Sequence, residues 1–265
     1  MKRVLLQTMR SIPRSGKSQL KHHMNRPPHV AAARSFSVGI QEKLATLVDA
    51  HPMMETVQFN KQNLKWSMAD VKRYSDAFSS GLVDNGWKAG DSLAVWLPAD
   101  TAESLTVKFA AARIGLLLVE IDMSVSEADA IRSILVENNC KGLIYDLEAG
   151  DRHNTDILKE IMPELKHYDD KFGDQFRSRV VPSMKFIMHV NMDLIPGVGN
   201  FKYQMVYDPR PALIPPAPDL SAPLTVNYTS DTLSGARVLS QEDVMTEQAW
   251  PTVGAILDKK FTLFA

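Results

Sequence analysis

The sequence predicts an α/β fold with a mostly parallel sheet flanked by helices. Between residues 41 and 150, short apolar runs alternate with segments of helical periodicity, as in βαβ units. The apolar runs are almost continuous, which indicates strands that are buried on both faces. With 265 residues, 45% of them hydrophobic and 23% charged, the chain has the composition of a globular protein with one large domain or two small ones.

Two helices are predicted before the first apolar run. Residues 38–48 have the apolar spacing of a short amphipathic helix. Ser67 is a favourable N-cap for a second helix over residues 68–85, and Gly86 provides its C-terminal stop.

A strand, a helix and a second strand follow. Residues 92–97 are mostly apolar and predict a buried strand. Thr101 or Asp100 caps the next helix, which ends before Gly115. Residues 116–121 form the second apolar run and predict the neighbouring strand.

A third helix is predicted with Ser126 as its N-cap, and it continues through Glu137. Residues 142–145 predict a third strand. The segment 150–185 is charged and is expected to be helical or irregular, and residues 184–190 predict another strand.

The last part of the chain contains a proline-rich connector over residues 208–223. Its six prolines favour an extended backbone without regular hydrogen bonding. Residues 224–228 predict a final strand. A single helix is then expected from Gln241 or Asp243 to about Leu257.

The N-terminal segment, residues 1–36, has the composition of a mitochondrial presequence. The first forty residues contain eight Lys or Arg and no Asp or Glu, whereas the remainder contains 22 basic and 31 acidic residues. An acid-free basic segment of this kind forms a cationic amphipathic helix that an inside-negative potential attracts. A chloroplast transit peptide is the alternative, since such peptides are also poor in acidic residues.

The end of the basic segment resembles the cleavage site of the mitochondrial matrix protease. In Arg34–Ser37 the arginine stands three residues before a cut after Phe36. Residues 37–265 are therefore the expected mature domain. A secretory signal is disfavoured because Arg10, Arg14 and Lys17 interrupt every candidate apolar core.

Several other classes of protein are excluded or disfavoured by the sequence. No apolar run is long enough for a transmembrane helix, and the acidic body makes nucleic-acid binding unfavourable. The single cysteine, Cys140, is expected to be a buried structural thiol. The histidines lack metal-ligand spacing, so no metal site is predicted. They are His22, His23, His29, His51, His153, His167 and His189.

Five segments occur in an order that resembles one enzyme superfamily. They are Leu64–Ser67, Gly86–Pro98, Ala110–Gly115, Val119–Asp122 and Pro182–Ile187. From residue 41 to about residue 245 the chain is similar to the N-terminal half of the adenylate-forming superfamily. That superfamily contains acyl-CoA synthetases, luciferase-like ligases and peptide-synthetase adenylation domains. The resemblance implies an α/β domain of the same type.

The superfamily binds ATP phosphates with a loop of the form Tyr-Thr-Ser-Gly-Thr-Thr-Gly-x-Pro-Lys-Gly. Glycines let backbone N–H groups approach the phosphates, hydroxyls donate hydrogen bonds, and the lysine supplies positive charge. The corresponding segment here is Tyr228–Gln241. Its candidate remnants for nucleotide binding are Thr229, Ser230, Thr232, Ser234 and Arg237.

The loop departs from this pattern in three ways. It is two residues shorter, it has no Pro-Lys-Gly element, and Asp231 replaces a glycine. A carboxylate thus stands where phosphates would lie, and Arg237 is the nearby cation. The resemblance also implies a magnesium site, an adenine site and a catalytic lysine in later segments, which this sequence is not expected to contain. No catalytic residue, cofactor or metal is therefore predicted.

The predicted function is that of a catalytically inactive acyl-CoA-synthetase-like protein. We expect a structural or accessory subunit of a mitochondrial assembly in the matrix or on the matrix face of the inner membrane. A respiratory complex, ATP synthase or the mitoribosome are the candidate hosts. The alternative is a residual acyl- or nucleotide-binding module, or an acyl-CoA ligase fragment that works with a partner chain.

The methionines raise a further alternative about surface contacts. Those in the second half of the chain fill the core, or they line a lipid-accepting or partner-binding surface. The residues concerned are Met184, Met188, Met192 and Met205. The second option predicts peripheral contact with a membrane or lipid.

Overall fold

The computed structural model describes residues 38–149, 152–168, 176–206, 218–233 and 236–264. The predicted presequence and most of the predicted connector lie outside the described residues. Ser37–Ala265 forms one compact unit.

The described chain contains seven α-helices and twelve β-strands. The helices are α1 Ile40–Ala50, α2 Met68–Asp84, α3 Ala102–Ile114, α4 Ala128–Glu137, α5 Asn154–Ile161, α6 Gln241–Glu247 and α7 Pro251–Leu257. The first six strands are β1 Glu55–Phe59, β2 Leu64–Ser67, β3 Ser92–Trp96, β4 Leu117–Ile121, β5 Gly142–Tyr145 and β6 Glu148–Ala149. The other six are β7 Arg152–His153, β8 Phe186–His189, β9 Gly199–Asn200, β10 Pro223–Tyr228, β11 Val238–Ser240 and β12 Thr262–Phe264.

The main sheet has seven strands in the order β11-β10-β4-β3-β5-β8-β9. Every neighbouring pair is parallel except β10 and β11. All five residues of β3, the central strand, are buried. The predicted fold class, a mostly parallel sheet flanked by helices, is therefore confirmed.

The helices cover both faces of this sheet. On one face, apolar residues of α1, α2, α3, α6 and α7 join a single core cluster that includes Phe78 and Phe109. On the other face, α4 and α5 form a second cluster that includes Ile134 and Leu158. Burial on both faces explains the nearly continuous apolar pattern of the strands.

A small second sheet, in the order β12-β1-β2, was not predicted. Leu64–Ser67, one of the five segments that carry the family resemblance, is strand β2. Phe59 of β1 stacks on Phe264 with ring centroids 5.4 Å apart, and it meets the edge of Trp66 at 5.3 Å. β1 and β2 form a hairpin of short strands, and β12 is distant in sequence from β1, so periodicity gave little signal.

Most of the predicted helix caps are confirmed. Ser67 forms a capping box with Asp70 at the start of α2, Thr101 accepts a backbone hydrogen bond at the start of α3, and Gly115 ends α3 in the left-handed conformation. The predicted cap at Ser126 is wrong. Glu127 is the N-cap of α4, and its side chain makes no capping hydrogen bond.

The predicted single helix over residues 241–257 is also wrong, because it is divided into α6 and α7. Gln248 has a left-handed φ of 54° after α6, and Trp250 is the non-helical N-cap of α7. Pro251 is the physical reason: its ring disfavours helical geometry at the preceding residue, and it fits the first turn of a new helix. The predicted C-terminal bound of the connector is wrong by one residue, since Pro223 already belongs to β10.

His189, at the end of β8, makes stability dependent on pH. Its side chain is 1% exposed, and burial lowers its pKa although Asp193 opposes the shift. Below about pH 6.5 the unfolded chain therefore binds a proton that the folded chain excludes. We expect the free energy of unfolding to fall by up to about 1.4 kcal/mol per pH unit there.

Urea denaturation between about pH 7.5 and pH 5.5 measures this effect. His189→Gln should flatten the dependence, whereas the matched exposed substitution His51→Gln should preserve it. Equal pH profiles for the wild type and His189→Gln would contradict the assignment.

Candidate functional site

The sheet has a topological switch point between its neighbouring strands β3 and β4. The helix that follows β3 packs on one face, as the burial of Phe109 in α3 shows. The helix that follows β4 packs on the opposite face, where Ile134 is buried. In open α/β sheets, the two diverging connections leave a crevice at the carboxyl ends of the strands, where ligands commonly bind.

A cavity of about 560 Å³ lies in this crevice. Val95, Leu97, Leu239 and Pro251 are among its apolar lining residues. Its polar lining includes Ser104, Lys108, Glu120, Asn227, Thr229, Thr232 and Arg237. The volume and the mixture of apolar walls with a few polar groups are typical of small-molecule sites.

Glu120 is the centre of a polar cluster in the cavity wall. Its carboxylate accepts hydrogen bonds from Trp250 Nε1 at 2.6 Å and Thr225 Oγ1 at 2.8 Å. Lys108 Nζ forms an ion pair with the other carboxylate oxygen at 2.8 Å. The cluster thereby connects α3, β4, β10 and the start of α7, and its two charges neutralise each other.

Two threonines in the loop after β10, Thr229 and Thr232, form hydrogen bonds with each other. The Thr232 amide donates to the Thr229 carbonyl at 3.0 Å, and the Thr229 amide donates to Thr232 Oγ1 at 3.1 Å. The two threonine hydroxyl oxygens are 2.8 Å apart. A phosphate would have to displace these contacts before it could accept bonds from the same groups.

Arg237, the predicted cation of the loop, forms ion pairs with two carboxylates. Its two terminal nitrogens donate to the two oxygens of Glu247 at 2.9 and 2.8 Å, and Asp243 lies 3.9 Å away. The Glu247 hydrogen bonds raise the pKa of Arg237. This fork-to-fork geometry places a carboxylate oxygen against each terminal nitrogen of the arginine.

The structure brings some predicted site residues together and not others. Thr229, Thr232 and Arg237 line the cavity. Ser230 is exposed on the loop, beside the exposed Asp231. Ser234 lies outside the described residues.

The sequence did not reveal three residues that define the chemistry of this site. Glu247 follows Arg237 by ten residues, but its pairing depends on the end of α6. Glu120 and Trp250 are 130 residues apart and no motif connects them. Pro251 was the signal in the sequence that could have revealed Trp250. A proline disfavours a helical conformation at the residue before it, so Trp250 leaves the helix and contacts the sheet.

The single cysteine, possible metal ligands and possible membrane-spanning helices were also considered as sources of function in the sequence. Cys140 is buried, as predicted, and burial raises the pKa of its thiol to about 12. Across the described residues, no cluster of three or more His, Cys, Asp or Glu side chains could hold a metal ion. In the same residues, every helix is too short or too polar to cross a bilayer.

The methionines divide between the core and the surface. Met184 and Met188 are buried, which confirms core filling for these two. Met192 is exposed. Met205 lines an apolar groove of about 320 Å³ whose other lining residues include Trp66 and Phe201.

Solved structures with the same fold include acyl-CoA ligases. A putative long-chain-fatty-acid CoA ligase from Rhodopseudomonas palustris superposes with a TM-score of 0.67 at 14% identity, over 85% of this chain and 57% of that chain. The N-terminal domain of FACL13 from Mycobacterium tuberculosis gives 0.63 at 13% identity, over 85% and 56%. The fold is thus that of the N-terminal part of acyl-CoA ligases.

The family model "AMP-binding enzyme" matches residues 45–232. The chain therefore belongs to the AMP-binding enzyme family, which confirms the resemblance to the N-terminal half of adenylate-forming enzymes. The medium-chain acyl-CoA ligase ACSF2, mitochondrial, of Mus musculus is 28% identical over 127 residues, which are 48% of this chain and 20% of that protein. The chain spans 20% to 32% of the length of such curated relatives.

Proposed function

We propose that this chain is an acyl-CoA-ligase-like protein without ligase activity that serves as a structural or accessory subunit of a mitochondrial assembly. One observation carries the first part of the proposal. Arg237, the cation that would replace the lysine of the phosphate loop, is bound in a bidentate ion pair by Glu247.

The charge balance of the loop argues against a triphosphate. A phosphate that recruits Arg237 must separate it from Glu247 and then lie close to that carboxylate and to Asp243. Two like charges 4 Å apart repel by about 1 kcal/mol in bulk water and about 4 kcal/mol near a protein surface. Asp231 adds another carboxylate in the loop itself.

The proposed location rests on two independent features. The basic, acid-free N-terminal segment has presequence composition. The similar ligases of mouse, zebrafish and human carry the word mitochondrial in their names. We place the protein in the matrix or on the matrix face of the inner membrane, as a subunit of a respiratory complex, ATP synthase or the mitoribosome.

A thioester assay tests the proposed loss of activity. The full chain is incubated with MgATP, CoA and fatty acids of several chain lengths, with the mouse medium-chain ligase as positive control. We expect no acyl-CoA above background. Acyl-CoA formation at a rate comparable to the control would overturn the proposal.

Native electrophoresis with mass spectrometry tests the accessory role. Solubilised mitochondria should contain the chain in a complex far larger than its own 29.6 kDa. Migration of the endogenous protein entirely as a monomer would contradict that role.

The cavity beside β3 and β4 favours a second candidate function. Its volume of about 560 Å³ suits a residual acyl- or nucleotide-binding module, or a ligase fragment completed by a partner chain. Saturable binding of an acyl-adenylate analogue would favour this candidate. The apolar part of the wall would then hold the acyl group.

A further inference from the structure

The apolar groove that Met205 lines is separate from the cavity beside β3 and β4. Its volume is about 320 Å³, and residues of β2, α2, α3 and the segment 201–205 form its walls. None of these lining residues also lines the cavity. The groove is large enough for a small organic molecule, since small-molecule sites begin at about 300 Å³.

Stacked aromatic side chains form much of the groove wall. Trp66 stacks on Tyr74 with ring centroids 4.6 Å apart, and Phe201 stacks on Phe78 at 4.5 Å. Trp66 is 7% exposed and Phe201 is 4% exposed, so packing holds both rings in place. Met205 extends the same apolar lining. A ligand therefore meets a preformed surface that suits an apolar group.

Two charged side chains on this groove, Glu103 and Lys202, lack an ionic partner among the described residues. Glu103 Oε2 accepts a hydrogen bond from Gln62 Nε2 at 2.7 Å, and Gln62 Oε1 accepts one from the Ala102 amide at 2.8 Å. Gln62 is neutral, so it positions the carboxylate without neutralising it. The Lys202 ammonium donates to Met192 Sδ at 2.7 Å, and a thioether sulfur is a weak acceptor.

The groove therefore combines an apolar wall with one uncompensated charge of each sign. We propose that it binds a small zwitterion with one apolar substituent, such as an apolar α-amino acid. The ammonium group of the ligand pairs with Glu103, and its carboxylate pairs with Lys202. The substituent packs against the aromatic wall. The proposal rests neither on the proposed loss of ligase activity nor on the accessory role.

Calorimetric titration of the full chain with four related compounds tests the class of ligand. L-phenylalanine has both charges and an apolar ring, phenethylamine lacks the carboxylate, 3-phenylpropionate lacks the ammonium group, and glycine lacks the ring. We expect saturable binding of L-phenylalanine that is about tenfold tighter than that of any other compound. No saturable binding of L-phenylalanine, or equal affinity for one of the other three, would overturn the proposal.

Single substitutions test the location of the site. Lys202→Met should lower the affinity for L-phenylalanine to that for phenethylamine, and Glu103→Gln should lower it to that for 3-phenylpropionate. Lys202 is exposed and Glu103 is half-buried, so neither substitution removes a core side chain. Lys185→Met and Glu137→Gln are matched exposed substitutions outside the groove, and they should leave the affinity unchanged. Wild-type affinity in both groove variants would overturn the assignment of the site.

Discussion

Glu120→Ala should lower the free energy of unfolding by about 3–5 kcal/mol, because it leaves a largely buried lysine without its counter-charge. Lys108 is 14% exposed at its side chain and lies 2.8 Å from the Glu120 carboxylate. The indole N–H of Trp250 and the hydroxyl of Thr225 would lose their acceptor as well. Urea denaturation monitored by circular dichroism measures the change.

Two further variants distinguish the effect of the unpaired buried charge from a general effect of shortening a side chain. Glu137→Ala, an exposed substitution on α4, should change stability by less than about 0.5 kcal/mol. The double variant Lys108→Met with Glu120→Leu should recover much of the loss, since paired replacement of a buried ion pair is often close to neutral. A loss below about 1 kcal/mol for Glu120→Ala would contradict the described cluster.

Asp76→Ala should have a comparable effect on the packing of α2 against α3. The Asp76 side chain is 6% exposed, with Lys72 one turn before it and Arg113 Nε 3.3 Å from its Oδ1. The contact with Arg113 is an ion pair without hydrogen-bond geometry. Removal of the Asp76 carboxylate leaves Arg113, whose side chain is 19% exposed, without a counter-charge. We therefore expect the free energy of unfolding to fall by about 3–5 kcal/mol.

Asp84→Ala is the matched control for Asp76→Ala. Asp84 is exposed and is the last residue of the same helix, where a negative charge is unfavourable to the helix dipole. Its replacement should be neutral or slightly stabilising. Equal effects of the two substitutions in thermal or urea denaturation would show that burial of Asp76 is not the cause.

The sequence contained enough information for five of the seven strands of the main sheet because the determinants were local, whereas the short strands β9 and β11 were not predicted. The apolar runs that became β3, β4 and β5 are buried on both faces, and caps such as Ser67 and Gly115 act within one turn of chain. In the second sheet, β1 and β2 form a local hairpin whose strands of five and four residues are too short for a clear alternation. β12 pairs with β1 across about 200 residues, as in the contact between Val57 and Thr262. Pairing at that distance leaves no periodic signal.

The sequence pointed to the loop after β10 but not to its contacts. The loop follows the carboxyl end of β10, and Thr229 and Arg237 line the cavity there. The pairing of Arg237 with Glu247 was not predicted, because the residues were expected to lie in a loop and a long continuous helix. Their proximity depends on the antiparallel turn through β11 and the short α6 that follows.

The described residues of this loop and of α6 carry more negative than positive charge. Thr229 and Thr232 bind one another, Arg237 binds Glu247, and Asp231 remains exposed. Because these donors are occupied and carboxylates lie nearby, the proposed function predicts that the loop does not bind phosphate.

Isothermal titration of the full chain with MgATP tests most directly whether this loop retains nucleotide binding. We expect no saturable heat for the wild type at millimolar nucleotide. The double variant Asp231→Gly with Glu247→Gln frees Arg237 and removes two carboxylates, and it is expected to bind more tightly than the wild type. Saturable, magnesium-dependent binding to the wild type that Arg237→Ala abolishes would contradict the proposed loss of nucleotide chemistry.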